Sequence, residues 1–307
     1  MNIVFLMDAL ETIAIKKDTT YVLMKACQEK GYSVFFMPQG GCQLSVSGLH
    51  FACEQVRVTG DESAPFEHIQ SIVLDEQSVE AVFIRKDPPF DERYLTDMWL
   101  LEQCSNSVKL FNDPLGIRTV NEKIWAMQFK DIIPDTVISS RYSTIKAFIR
   151  QHEQVILKPT NGYGGKGIFK VSETDENLSA ILELLTNYER DYIVVQAYIE
   201  AANEGDKRIL LLNGEPIGAV LRLHGDDDHR NNFFAGGKAL KADLDSNDEA
   251  IIARLKPSLL KLGLAFVGID VIGGKLIEVN VTSPTCVQEI NALNNTCLET
   301  IIINQLL

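Results

Sequence analysis

The chain of 307 residues contains no apolar run long enough to cross a bilayer, so a helical membrane span is excluded. Clustered basic residues are also lacking. The 29 Lys and Arg are outnumbered by 42 Asp and Glu, leaving a formal net charge of −13. Phosphate backbones and anionic lipid surfaces need clustered cations, so neither nucleic acid nor a membrane is expected as partner. An anionic small substrate stays open where basic residues gather locally. The six cysteines, Cys27, Cys42, Cys53, Cys104, Cys286 and Cys297, include no C-x-x-C pair, which excludes an evident zinc site. Scattered thiols of this kind suit a reducing compartment better than a disulfide framework, and a cytoplasmic location is expected. No basic stretch precedes the apolar start Met1 to Met7, which reads as a first strand and not as a signal peptide. With 46% hydrophobic residues the chain can bury a sizeable core and is expected to divide into two or three domains.

What is present is most informative near the C-terminus, from Val267 to Pro284. Glu278 and Asn280 are two residues apart, so on a strand both point to one face while Ile277, Val279 and Val281 point to the other. Asp270 joins them only if the hairpin has the right register, because a slip of one residue turns every side chain to the opposite face. A three-residue loop, Gly273-Gly274-Lys275, would set Asp270 opposite Glu278 and Gly268 opposite Asn280. Such a trio of hard oxygen donors suits Mg²⁺ shared with substrate phosphates. A solvated hairpin would explain the alternation, but not acids set between such apolar neighbours. Cys286 lies nearby, yet no His accompanies it in sequence, so it is not read as a nucleophile.

The wider pattern is mixed α/β. Ile3 to Met7, a helix from Thr19 to Lys30 stopped by Gly31, and Ser33 to Met37 make a β-α-β start. Val79 to Ile84 reads as another strand, delivering Arg85-Lys86-Asp87-Pro88-Pro89-Phe90 at its C-terminal end, where open α/β sheets bind ligands. A break is expected near Asn112-Asp113-Pro114. After it the chain reads as a helix from Asn121 to Phe129, a helix from Thr144 to His152 and strand Val155 to Lys158. The Gly-rich segment Asn161 to Gly167 follows, then strand Ile168 to Val171, helix Asn177 to Asn187 and strand Tyr192 to Ala197. This second unit is α+β with an antiparallel core.

The Gly-rich segment matches the spacing of a dinucleotide fingerprint, but a strand follows it where that fingerprint requires a helix. It is not a Walker A loop, since no Ser or Thr follows the lysine. A protein kinase is a poor fit, since H-R-D and D-F-G are missing and the lysine strand Val155 to Lys158 precedes the loop instead of following it. What remains is a hairpin whose backbone amides can close over phosphates.

Two lysines, Lys123 and Lys158, a glycine flap and an acidic strand together point to ATP. The chain resembles the ATP-grasp carboxylate-amine ligases, and within them the bacterial glutathione synthetases, over nearly its whole length. The resemblance is carried by Ile15 to Asp18, Arg85 to Asp91, Asn121 to Lys123, Ile156 to Pro159, Gly164-Gly165, Gly205 to Arg208, Ala235 to Gly237, Val267 to Asp270 and Glu278 to Thr285.

The resemblance implies an ATP-grasp fold behind an N-terminal parallel α/β domain, with units at residues 1–119, 120–197 and 198–307. It implies ligation of γ-glutamylcysteine to glycine through an acyl phosphate, with ATP as co-substrate and two Mg²⁺ ions, or Mn²⁺, as metals. It further implies a homotetramer. By position, Lys123 and Lys158 hold nucleotide phosphates, Gly164, Gly165 and Gly167 cover them, and Gln196, Tyr198 and Ile199 flank adenine. Asp206 meets the ribose, and Asp270, Glu278 and Asn280 hold metal. Lys17 and Arg85 meet dipeptide carboxylates, Arg208, Arg222 and Arg230 surround the transferring phosphoryl, and Thr282 and Ser283 lie near the acceptor. Leu223 to Lys238 is the expected lid, hinged at Gly236-Gly237. The alternatives are an ATP-grasp ligase with another acceptor or acyl donor, and a binding protein without turnover; the intact acid set argues against the latter.

Overall fold

The structure, a computed structural model, describes residues 1–223 and 238–307. The first unit runs through β1 (Asn2–Leu6), α1 (Thr19–Glu29), β2 (Ser33–Met37), β3 (Cys42–Ser45), β4 (Gly48–Val58), β5 (Phe66–Asp75), β6 (Ala81–Ile84), α2 (Glu92–Leu101), β7 (Lys109–Phe111) and α3 (Pro114–Thr119). The middle stretch holds β8 (Thr136–Ser139), α4 (Tyr142–His152), β9 (Gln154–Pro159), β10 (Phe169–Ser172), α5 (Leu178–Thr186) and β11 (Ile193–Ala197). The last contains β12 (Asp206–Leu212), β13 (Glu215–Leu223), β14 (Lys238–Lys241), α6 (Ser246–Lys261), β15 (Phe266–Ile272), β16 (Lys275–Asn280), α7 (Val287–Asn294) and α8 (Leu298–Leu306).

The described residues form three sheets. In the first, β1 lies parallel between β2 and β6, and β6 is parallel to β7, while β3, β4 and β5 extend it antiparallel beyond β2. The expected β-α-β start is present. Asp18 caps α1 by accepting the Tyr21 amide at 2.6 Å, and Gly31 at φ +79° turns the chain out of it. Because β1, β6 and β7 run the same way, residues 85–90 emerge at their common C-terminal edge. The second sheet is antiparallel in the order β10-β9-β11-β8, and the third is antiparallel in the order β14-β13-β12-β15-β16.

Side-chain alternation on β1 feeds two cores. Val4 and Leu6 join one that continues into Ile209, Leu211, Val267 and Ile269, while Ile3 and Phe5 join another that includes Leu210, Leu212 and Phe266. First and third units are therefore packed as one body. The middle sheet has its own core of Ile145, Ile149, Val155, Leu157, Leu182 and Val195 among others. Where a break was expected, Asn112 is buried and acts as a bolt. Its amide donates to the carbonyls of Phe266 and Val281, each at 2.8 Å, and accepts the Phe266 N–H at 2.7 Å.

The helix expected from Asn121 to Phe129 is reduced to a 3-10 turn at Trp125–Gln128. The Asn121 carboxamide oxygen accepts the amides of Lys123 and Ile124 at 3.1 and 3.0 Å, a local turn that competes with helix formation. The Glu122 carbonyl accepts the Val279 N–H at 3.0 Å, so this segment is spent on strapping β16.

Candidate active site

The acid strand has the expected register for a different reason. Gly273 and Gly274, at φ +54° and +71°, form a tight two-residue turn that pairs Ile272 with Lys275 and Val271 with Leu276. A bulge then leaves Ile277 unpaired, so that Asp270 meets Glu278 and Gly268 meets Asn280. The three-residue loop is thus corrected to a turn plus a bulge. Ile277 also leaves its expected face: it lines the cleft beside Glu278, while Leu276, Val279 and Val281 are fully buried in the core.

The neighbouring strands complete this polar face by cross-strand pairing. Register sets Asp206 opposite Arg222 and Arg208 opposite Asp270. Arg208 grips Asp270 with two N–H groups, one at 2.8 Å, and Arg222 reaches the same carboxylate at 3.0 Å. Arg222 also forks onto Asp206 at 2.5 and 2.8 Å. Burial would raise the Asp270 carboxyl, but the Arg208 and Arg222 guanidiniums outweigh it and hold it well below the usual carboxylate range.

Lys123 is buried, donating to Glu278 Oε1 at 2.9 Å and to the Gly162 carbonyl at 2.5 Å. Lys158 projects from β9 and donates to Gln196 Oε1 on β11 at 2.8 Å. Burial pushes its ammonium down to about 8, with Lys123 adding to the effect and Glu278 opposing it. Between β9 and β10 the glycine hairpin turns at Gly164 and Gly165, φ +62° and +76°, conformations open to glycine at little cost. Both face the cleft. Gly167 does not; it packs on Pro159. Lys166, whose ammonium lies 5.0 Å from the Tyr163 ring centroid, stacks on that ring.

At the far end Gln196, Tyr198 and Ile199 line the cleft with Ile156, Ile168, Ile272 and Ile277, an apolar slot fit for a flat ring. Tyr198 donates to Asn203 at 2.8 Å, and Lys170 covers its ring at 3.5 Å. At the near end Thr282 donates its hydroxyl to Glu122 at 2.9 Å, and Ser283 donates its own to Asp87.

Most residues singled out by sequence therefore line one cleft with a cavity volume of about 240 Å³. Lys17 and Arg85 do not. Lys17 is exposed, whereas Arg85 is buried, donating to Thr20 Oγ1 at 3.1 Å and to the Pro284 carbonyl at 2.8 Å, with Nη1 meeting no acceptor among the described residues. Arg230, the Gly236-Gly237 hinge and most of the expected lid lie outside the described residues. Sequence reasoning gave no role to Asp87 or Glu122, although both sit inside motifs it recognised.

Among the described residues no cluster of three or more His, Cys, Asp or Glu stands ready for a metal. The candidate set is instead two carboxylates and an amide. Asn280 spends its N–H on the Gly268 carbonyl at 3.2 Å, leaving its amide oxygen free of described donors, as is the second oxygen of Glu278. Hard, acceptor-only atoms on one face fit a divalent cation such as Mg²⁺.

Two family models match the chain: prokaryotic glutathione synthetase, N-terminal domain, over residues 1–118, and prokaryotic glutathione synthetase, ATP-grasp domain, over residues 122–295. A glutathione synthetase of Vibrio cholerae is 39% identical over 290 residues, covering 93% of this chain and 91% of that protein. One from Gloeobacter violaceus is 38% identical over 315 residues, covering 100% and 96%. Among solved structures, a D-cycloserine synthetase superposes with a TM-score of 0.67 at 16% identity, over 99% of each chain, a likeness of fold alone.

Proposed function

The chain belongs to the prokaryotic glutathione synthetase family, and from that premise we propose how its cleft works. It is an ATP-dependent ATP-grasp ligase that makes glutathione. A carboxylate is a poor electrophile, so the donor dipeptide γ-glutamylcysteine is first phosphorylated and the acyl phosphate is then attacked by glycine.

The observation that carries this reading is the convergence of two buried lysines, a glycine hairpin and an acid-amide strand on one cleft. Lys123 and Lys158 hold the nucleotide phosphates, and the backbone of Gly164 and Gly165 closes over them, with Gly167 shaping the hairpin. Gln196, Tyr198 and Ile199 take the base, and Asp206 the ribose. Arg208 and Arg222, with Arg230, balance charge that spreads over the transferring phosphoryl group. Asp270, Glu278 and Asn280 would hold two Mg²⁺ ions, which supply further neutralisation of phosphate charge when bound. Lys17 and Arg85 meet the carboxylates of the dipeptide; Arg85 Nη1, which has no acceptor among the described residues, supports this for Arg85. Thr282 and Ser283 meet the acceptor.

The three stretches 1–119, 120–197 and 198–307 act as donor, nucleotide-covering and catalytic units. The working form is a cytoplasmic homotetramer; six free cysteines, four of them buried, support a reducing compartment. Phosphate release with γ-glutamylcysteine and each amino acid in turn tests the substrate assignment. Glycine should give the highest rate. Equal rates with alanine or serine would instead favour a ligase of broader acceptor choice. Light scattering reports the assembly, where a monomer would refute the tetramer.

A further inference from the structure

An amino-acid acceptor reaches the cleft as an ammonium ion and must lose a proton before its lone pair can attack an acyl carbon. Five carboxylates line the cleft among the described residues: Asp87, Glu122, Asp206, Asp270 and Glu278. Three are ion-paired, Asp206 with Arg222, Asp270 with Arg208 and Arg222, and Glu278 with Lys123. Glu122 accepts the Val281 N–H, the Thr282 N–H and the Thr282 hydroxyl on a single oxygen, at 2.9, 3.2 and 2.9 Å. It holds the turn.

Asp87 differs from the three ion-paired acids and, unlike Glu122, its carboxylate accepts a single hydrogen bond from the described residues. Among the described residues no cationic side chain pairs with its carboxylate, because the adjacent Lys86 turns to Asp8 at 2.7 Å and to the Asp87 carbonyl at 2.8 Å. Its backbone N–H is anchored on Asp8 at 2.9 Å. Oδ1 accepts the Ser283 hydroxyl, and Oδ2 accepts nothing from the described residues. The carboxylate thus borders the turn assigned to the acceptor, with one oxygen available.

Resting on the reading that Thr282 and Ser283 meet the acceptor, we infer that Asp87 docks the acceptor ammonium beside Ser283 and takes its proton. The amine lone pair then forms the C–N bond, and the acyl C–O bond breaks with its electron pair leaving on phosphate. The second amine proton departs with that phosphate, and Asp87 returns its own to solvent. Burial raises the Asp87 carboxyl above the ordinary range, with the Ser283 hydrogen bond opposing, which brings it nearer the pH of the reaction. The charged and titratable groups facing it are Asp8 after β1, Asp18 before α1, Arg85 and Lys86 on its own loop, and Tyr94 on α2.

The test compares two acceptors on Asp87→Asn: glycine, and hydroxylamine, which is already unprotonated at neutral pH. Glycine-dependent kcat should fall about 100-fold or more, while hydroxamate formation stays within about threefold of the wild type. In this variant the glycine rate should keep climbing with pH toward the amine's own titration, where the wild type levels off once Asp87 is ionised. Ser283→Ala should raise KM for glycine more than it lowers kcat, since Asp87 keeps its carboxylate. Loss of both acceptors alike in Asp87→Asn, or wild-type turnover of glycine, overturns the inference. Should the wild type form hydroxamate yet fail with glycine, the acceptor assignment itself is at fault.

Discussion

Replacing Glu278 with Gln keeps the shape of the side chain and removes the charge that Lys123 and a bound cation would share. Turnover should fall roughly 10²- to 10³-fold while circular dichroism and Tm report an intact fold. Unchanged turnover would contradict the metal assignment. Lys158 makes a pH prediction whose sign can be worked out. Burial pushes its ammonium down to about 8 from an ordinary value of 10.5. Between those values the unfolded chain binds a proton that the fold does not, so this group adds stability as pH rises through that window. Nucleotide affinity moves the other way, because phosphates select the charged form. The ATP Kd from calorimetry should weaken about tenfold per pH unit above 8, with proton uptake on binding. A Kd independent of pH between about 7 and 9.5 would contradict it. At this scale Asp270 and Glu278 were legible because acids between apolar neighbours are conspicuous, whereas Asp206, Arg208 and Arg222 were named through the family resemblance alone. Asp87 and Glu122 were not legible, since their partners Ser283 and Thr282 lie 196 and 160 residues away.

Strand alternation made the face of Glu278 and Asn280 legible, and glycine pairs marked the turns. The bulge at Ile277 escaped, because two-residue turn plus bulge and three-residue loop predict the same partners for Asp270. A helix was misread at residues 121–129 for a related reason: the Asn121 side chain and the β16 backbone outcompete helical hydrogen bonds, and neither is visible in a local pattern. The hairpin turn can be probed directly. Gly274→Val would force a β-branched residue to φ +71° and bring its Cβ to 3.0 Å from Asn247. A destabilisation of roughly 1–2 kcal/mol is expected, read as a lower urea midpoint at unchanged m. An unchanged midpoint would argue against this turn.

For the whole molecule, the β-α-β start foretold the parallel part of the first sheet, and the α+β pattern after it the antiparallel middle sheet. They did not foretell that first and third share two cores, which depends on β1 facing both ways and on the Asn112 bolt. The middle sheet, with its separate core, covers the cleft floor through its glycine hairpin. Nucleotide bound between them should stabilise the fold by about 2.7 kcal/mol at a concentration 100 times Kd, visible as a raised Tm. Chelation of divalent metal should remove most of that rise; a shift indifferent to chelator would detach the acid strand from nucleotide binding.

The central claim is that the donor carboxylate is phosphorylated in this cleft before the acceptor attacks. Labelling both oxygens of the γ-glutamylcysteine cysteinyl carboxylate with ¹⁸O and analysing the released phosphate by mass spectrometry tests it. One labelled oxygen should leave with each phosphate formed during glycine ligation. Phosphate released without label, while glutathione still accumulates, would contradict the acyl phosphate route.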